Sequence, residues 1–355
     1  MHLNYIGSKY SLLSFLEESI DQVAEGENEV FCDLFAGTGV VGEHFKKKGY
    51  SVIANDLQYY SFVINKQRIE NHQHLLFSKL HDIIPALKDA SKEEKGAIVC
   101  DYLNNEKGVK GFMYRHYSLE GTKNDRYQRQ YFSRATSMRC DAIRQRIEEW
   151  RQKRMVSLSE YYFLLCSLLE SIDQYANTAS VYGAFLKTLK TKASQRFVLR
   201  PSPLVVNDQH HAVFNKNINK LVREIKGDIV YLDPPYNHRQ YSSNYHILET
   251  IARYDNPEIR GKTGLRKQEA KSLYCSRVHV KQEFEDLIRN INAKYIFLSY
   301  NNEGLLDFKD IQTIMSTRGK YGVFTKTYRR YKADSKRHNK TDTTKEYLHY
   351  VVCDG

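Results

Sequence analysis

A doubly wound α/β sheet interrupted by a basic helical insert is the fold class predicted, and three observations predict it. A glycine turn, Gly37-Thr38-Gly39, stands between an apolar run and a helical pattern. Further apolar runs, each long enough for a strand, recur late in the chain at Asp228–Tyr236, Lys294–Tyr300 and from Glu346 onward. Between Asp56 and Asp228 the chain spends far more residues than one or two βα units need, which implies an insertion.

The elements follow in order. FCDLF, the glycine turn, VVGEHFKKKG and SVIA read as strand, loop, helix and strand, closed by Asn55-Asp56. From about Pro85 to Arg200 the pattern turns helical: Met138, Ala142, Ile143, Ile147 and Trp150 recur at helical spacing, with Arg139, Arg146 and Lys153 on another face. Ser157-Leu-Ser-Glu160 is a capping-box pattern opening YYFLLCSLLESI, apolar nearly all round and therefore expected to be buried. VKQEFEDLIRNI is a helix between two of the late strands. The expected organisation is a catalytic domain from residues 1–84 and 196–355, with 85–195 as the insert.

With 355 residues and a hydrophobic fraction of 41%, the chain can bury a substantial core. No apolar run is long enough to cross a bilayer, and the start, MHLNYIGSKYSLL, lacks the pattern of a secretory signal. No membrane association is expected, and a cytoplasmic location is. The six cysteines are scattered singly, without zinc-ligand spacing, so reduced thiols and no metal are expected. The net charge of +12 is concentrated: the first hundred residues carry more acids than bases, and the excess of Lys and Arg begins with the insert. With 27 tyrosines this suits a polyanion held through phosphates and stacking.

Gly37-Thr38-Gly39-Val40-Val41-Gly42 has the glycine spacing of a nucleotide-binding turn, and Asp56 ends the next strand-like run, where a carboxylate accepts from ribose hydroxyls. The motif alone does not name the ligand. Asp33, inside the strand before the turn, favours S-adenosylmethionine, because it can accept from the methionine ammonium, whereas a pyrophosphate would be poorly served by an acid there. Asp233-Pro234-Pro235-Tyr236 directly follows IVYL, at the strand edge where ligands of open α/β sheets sit. Two prolines fix φ and remove two donors, which makes the loop a rigid platform of acceptors. Such a platform suits an exocyclic amine: the Asp233 carboxylate and Pro234 carbonyl accept its two N–H bonds, and Tyr236 stacks on the base. Reaching a base in duplex DNA requires flipping it out.

At these residues the sequence resembles the Dam-like, alpha-order group of DNA adenine-N6 methyltransferases, which includes methylases of type II restriction–modification systems. Tyr5, Gly7 and Lys9 in NYIGSK match the group's Tyr-x-Gly-x-Lys; Asp33-Leu-Phe35-Ala36-Gly37-Thr38-Gly39 matches its glycine motif; Asp56 and the DPPY run match its ribose acid and amine platform. The resemblance implies a Rossmann-like methyltransferase sheet, S-adenosylmethionine as cofactor, Gly7 against that cofactor, and Lys9 pointing toward the active site. It also implies an insert that carries target recognition, double-stranded DNA as substrate in the nucleoid, and a cognate restriction endonuclease as partner. A further acid at a strand end before DPPY is expected to contact the cofactor adenine: Asp208, with Asn207 as the alternative. The run Tyr241–His246 resembles a pocket-lining segment, and Ser299–Gly304 is a second candidate loop at the site. For DNA the candidates are Arg126, Arg129, Arg134 and Arg139 in the insert, with Arg266, Lys267, Arg329 and Arg330 in two later basic loops. Alternatives stay open: cytosine N4 as the methylated atom, a nicotinamide-dependent dehydrogenase on the glycine motif alone, and a non-catalytic DNA-binding module.

Overall fold

The computed structural model describes residues 3–238, 240–267, 271–329 and 343–354. Among these residues the strands are β1 (Val30–Asp33), β2 (Ser51–Asn55), β3 (Ala212–Phe214), β4 (Ile229–Leu232), β5 (Ile259–Arg260), β6 (Leu265–Arg266), β7 (Tyr295–Asn301), β8 (Gly319–Arg329) and β9 (Thr343–Cys353). The chain divides into two compact units.

One unit, Ile6–Asn65 with Asp208–Tyr241 and Ala270–Gly355, holds a seven-stranded sheet of order β3-β2-β1-β4-β7-β9-β8. β3, β2, β1, β4 and β7 run parallel, and the β8–β9 hairpin adds two strands antiparallel to β7. Strands buried on both faces need unbroken apolar runs, and IVYL of β4 is buried at all four positions. Alternate residues feed two cores. Cys32, Val230, Leu232, Ile296 and Leu298 face Phe284 and Leu287 of the helix Val280–Asn290. Phe31, Ile229, Tyr231 and Phe297 face Leu16 and Ile20 of α1 (Leu13–Asp21) and Val41 and Phe45 of α2 (Val40–Lys47). The chain leaves β1 toward β2 and β3, then returns to β4 on the other side of β1. That reversal opens a crevice at the carboxyl ends of β1 and β4, which Asp33 and Asp233 flank.

The fold class is as expected, with two additions. β3 is the three-residue Ala212–Phe214, too short to stand out, while PLVVN, the apolar run at 203–207 just before Asp208, forms no strand. The stretch from Arg318, expected to be a basic loop, instead enters β8, a sheet edge whose lysines blunt strand-to-strand association.

The other unit comprises Met1–Tyr5, Lys66–Asn207 and Ser242–Glu269. Its main helices are Arg134–Gln152 and Leu158–Gln174, and both halves of the Ser157/Glu160 capping box are formed. The boundaries differ from 85–195 for a physical reason. Arg68 makes a buried ion pair with Glu170 at 2.6 Å, which ties residues 66–84 to the second helix. Fully buried Arg144 donates to the carbonyls of Ile251 and Ala252, drawing in the segment after DPPY. Five of the six free cysteines are buried, and Cys353 is half-buried. Among the described residues no helix is long and apolar enough to cross a membrane.

Candidate active site

Glycine at 37 and 39 is required by the backbone, since φ is +52° and +73° there, a region L side chains rarely adopt. Asp56 braces the turn: its Oδ2 accepts from the Gly37 N–H at 2.9 Å and its Oδ1 from the Gln58 N–H at 2.8 Å. Asn65 donates to the Gly37 carbonyl at 3.0 Å, and the Ala36 N–H bonds the Asn55 carbonyl. Thr38 is buried, and Phe35 packs edge-on against Tyr274 at 5.1 Å. Asp33, 1% exposed, accepts from the Gly42 N–H near the start of α2 at 3.0 Å. Burial lifts its pKa to about 7, opposed by the Gly42 N–H and reinforced by Asp233 and Asp56. Among the described residues no Lys or Arg pairs with it.

At the next strand end Asp233 and Tyr236 meet Lys9. The Lys9 ammonium, 4% exposed, lies 3.0 Å from Asp233 Oδ1 and 2.9 Å from Glu346 Oε1, and it also donates to the Tyr236 hydroxyl. The Tyr236 hydroxyl in turn contacts Asp233 Oδ1 and lies 3.3 Å from Glu346 Oε1. Burial alone would lower the Lys9 pKa, but Asp233 and Glu346 overcome it and hold the ammonium well above its ordinary value. Burial pushes Asp233 up to about 6, with Lys9 opposing and Glu346 adding to the rise. All of these contacts fall on Oδ1; among the described residues no hydrogen bond reaches Oδ2. Pro234 is buried and Pro235 half-buried, and the Tyr236 carbonyl is fixed by the Leu305 N–H at 3.0 Å. The Tyr236 ring packs edge-on against Tyr300 at 5.3 Å, which makes Ser299–Gly304 part of the site's wall, and the Lys9 ammonium stands 4.7 Å over one ring face. Gly7 has φ +77°, and a Cβ there would lie 3.2 Å from the Tyr241 hydroxyl.

Several expectations need correction. Asp208 is exposed and precedes β3, at the opposite end of the sheet from Asp56 and Asp233. Asn207 belongs to the helical unit, where its N–H donates to the His72 carbonyl at 3.2 Å. The residue that does leave β3 at the site edge is Asn215, whose amide donates to the carbonyls of Asp56 (2.7 Å) and Leu57 (3.0 Å). Tyr5, half-buried, stacks on Tyr245 at 4.7 Å, while Tyr245 and His246 are buried in the helical unit, His246 against the Tyr182 carbonyl. Of the DNA candidates, Arg129 is buried and donates to the Gly261 carbonyl, Arg139 is half-buried on the Asn104 carbonyl, and Arg266 is buried against Asp255. These guanidiniums hold loops together. Arg126, Arg134 and Lys267 remain exposed; the Arg329 side chain and Arg330 lie outside the described residues. Glu346 carried no motif. The antiparallel run of β9 brings its start to the carboxyl end of β7, opposite Asn301, so an acid in an apolar run was its only signal.

The switch point of a mostly parallel seven-stranded sheet carries the glycine turn, Asp56 and the Asp233–Tyr236 loop together, a placement that suits a nucleoside cofactor. The chain belongs to the D12 class N6 adenine-specific DNA methyltransferases, which it matches over residues 5–314. It is 45% identical to the type II methyltransferase M.NlaIII of Neisseria lactamica over 98% of this chain and 99% of that protein. To the type II methyltransferase M.CviAII of Paramecium bursaria Chlorella virus 1 it is 36% identical, over 98% of each. To M.FokI of Planomicrobium okeanokoites it is 38% identical over 99% of this chain but only 53% of that protein, so it spans about half of M.FokI. Adenine N6 is therefore favoured over cytosine N4, and the dehydrogenase reading falls. The methyl donor is S-adenosylmethionine, and the site fits it: the left-handed glycines leave room for close backbone approach, and a buried acid without a cationic partner stands ready for an ammonium.

Proposed function

We propose that this enzyme methylates N6 of an adenine flipped from a specific duplex site, as the modification half of a cytoplasmic restriction–modification pair with a cognate endonuclease. Bound S-adenosylmethionine supplies an electrophilic methyl carbon on a sulfonium. Asp33 takes the methionine ammonium, Asp56 the ribose hydroxyls, and Asn215 stands where the adenine end of the cofactor is to be held.

The observation that carries the mechanism is the open Oδ2 of Asp233 beside an Oδ1 fixed by Lys9 and Tyr236. Oδ2 accepts one N–H of the target amine and the Pro234 carbonyl the other. Nitrogen is thereby drawn toward tetrahedral geometry, and the positive charge it gains is met by a carboxylate already in place. Asp233 then takes the surplus amine proton and passes it to water. The base stacks on the Tyr236 ring face opposite Lys9. Exposed Arg126, Arg134 and Lys267 contact phosphates, which positions the duplex without reading its sequence. The test is mass spectrometry of nucleosides from unmethylated plasmid DNA incubated with protein and S-adenosylmethionine, followed by mapping of the modified site. N6-methyladenine at one recurring sequence supports the proposal; N4-methylcytosine, or no methylated nucleoside from folded, cofactor-binding protein, overturns it.

A further inference from the structure

The cluster around Lys9 contains one carboxylate more than an amine platform requires. Glu346 is fully buried, and its Oε1 lies 2.9 Å from the Lys9 ammonium and 3.3 Å from the Tyr236 hydroxyl. An ammonium has three donors, and here they go to Asp233 Oδ1, Glu346 Oε1 and the Tyr236 hydroxyl. With Glu346 absent, Asp233 would be the only carboxylate on a buried cation. An acid closed into such a pair is a weak acceptor for anything else.

We propose that Glu346 is a positioning residue for methyl transfer: it shares the Lys9 ammonium, so that Asp233 stays anchored through Oδ1 while Oδ2 keeps the basicity needed to accept from the target amine. The inference rests on the amine-platform reading and adds Glu346 to Asp233, Pro234, Tyr236 and Lys9. Glu346 need not touch substrate; it acts through Lys9 and Tyr236. The groups facing Asp233 are Lys9 from the N-terminal segment, Asp33 on β1, Tyr231 on β4, Tyr236 in the loop, Tyr241 after it and Glu346 on β9. Of these, Lys9 is the cation, and Glu346 is the acid that shares it.

A residue that only fills space leaves the titration of Asp233 where it was, whereas a charge-sharing residue moves it. Single-turnover transfer on duplex DNA is to be measured from pH 5 to 9 for the wild type, Glu346→Gln, Lys9→Met and the double variant, with cofactor affinity measured alongside. In the wild type the rate falls on the acid side as Asp233 protonates. Removing the nearby negative charge lowers that carboxyl's proton affinity, so Glu346→Gln shifts the acid limb down by about one pH unit. It also cuts the plateau rate about tenfold, through the weakened charge-assisted bond, with cofactor affinity unchanged. Lys9→Met shifts the limb upward, and adding Glu346→Gln brings it back down. The double variant leaves neither partner of the pair buried alone, so its comparison with Lys9→Met decides the matter even where Glu346→Gln does not fold. An acid limb that Glu346→Gln leaves in place, or a double variant indistinguishable from Lys9→Met, overturns the role. A wild type that makes no N6-methyladenine overturns the amine platform itself, which is a separate result.

Discussion

Cofactor binding should weaken steeply in mild acid, because Asp33 is the buried acid assigned to the methionine ammonium. In the free enzyme its pKa stands at about 7, raised first by burial and further by Asp233 and Asp56 against the Gly42 N–H. An ammonium beside the carboxylate favours its ionised form and lowers that value, so binding releases a proton wherever Asp33 was protonated beforehand. The sign follows: affinity is greatest above pH 7 and falls as pH drops through the free-enzyme value. With a bound pKa well below 5, moving from pH 7.5 to 5.5 raises the apparent Kd about 25-fold, or about 2 kcal/mol. Titration calorimetry in two buffers of different ionisation enthalpy counts the released protons directly. Asp33→Asn keeps an acceptor for the Gly42 N–H, so the fold is retained, the affinity is lower at neutral pH, and the pH slope is gone. A flat wild-type profile over this range, or a slope that survives Asp33→Asn, would refute the assignment.

Other consequences are open to simpler assays. Asp233→Ala should cut single-turnover transfer by about a thousandfold or more while cofactor Kd changes little, since it removes an acceptor that matters chiefly as charge develops. Tyr236→Phe should itself slow transfer, by roughly tenfold, because the hydroxyl helps hold Asp233 and Lys9; Tyr236→Ala should be slower still through loss of the stacking face. Equal rates for wild type and Tyr236→Phe would confine the residue's role to its ring. Arg129→Ala should destabilise the protein by about 2 kcal/mol in denaturant melts, because a buried guanidinium leaves the Gly261 carbonyl. Arg126→Ala should leave the melt unchanged and reduce the salt slope of DNA binding by about one; the reverse pattern would return Arg129 to the DNA surface.

The parts of this molecule legible in the sequence were those where chemistry forces a local pattern. The glycine turn shows itself because positive φ demands glycine, β1 and β4 because burial on both faces demands an apolar run, and the helix Leu158–Gln174 because its capping box is a local hydrogen-bond exchange. Asp33, Asp56 and Asp233 were findable as acids at strand ends. What depends on partners distant in sequence was not. Arg129 and Arg126 are the same residue type three positions apart, yet one is sealed beneath the β5–β6 hairpin and the other faces solvent. PLVVN is apolar enough for a strand, but the pairing with β2 is made instead by Ala212–Phe214, and that shift puts Asn215, not Asp208, at the strand end beside Asp56. Glu346 gains its meaning only when β9 turns antiparallel beside β7.

That last placement bears on how the enzyme is made. Lys9 comes from the segment before β1 and Glu346 from β9, yet they touch at 2.9 Å. Contacts this remote along the chain close late and slowly, because loop entropy must be surrendered before they return anything. On the ribosome, β1, β2 and the glycine turn emerge long before β9 does. A nascent chain can form the glycine turn and the strands beside it early, but the contact between Lys9 and Glu346 closes only once β9 has emerged. On the role proposed for Glu346, a product broken off before β9 would keep the five parallel strands and modify nothing.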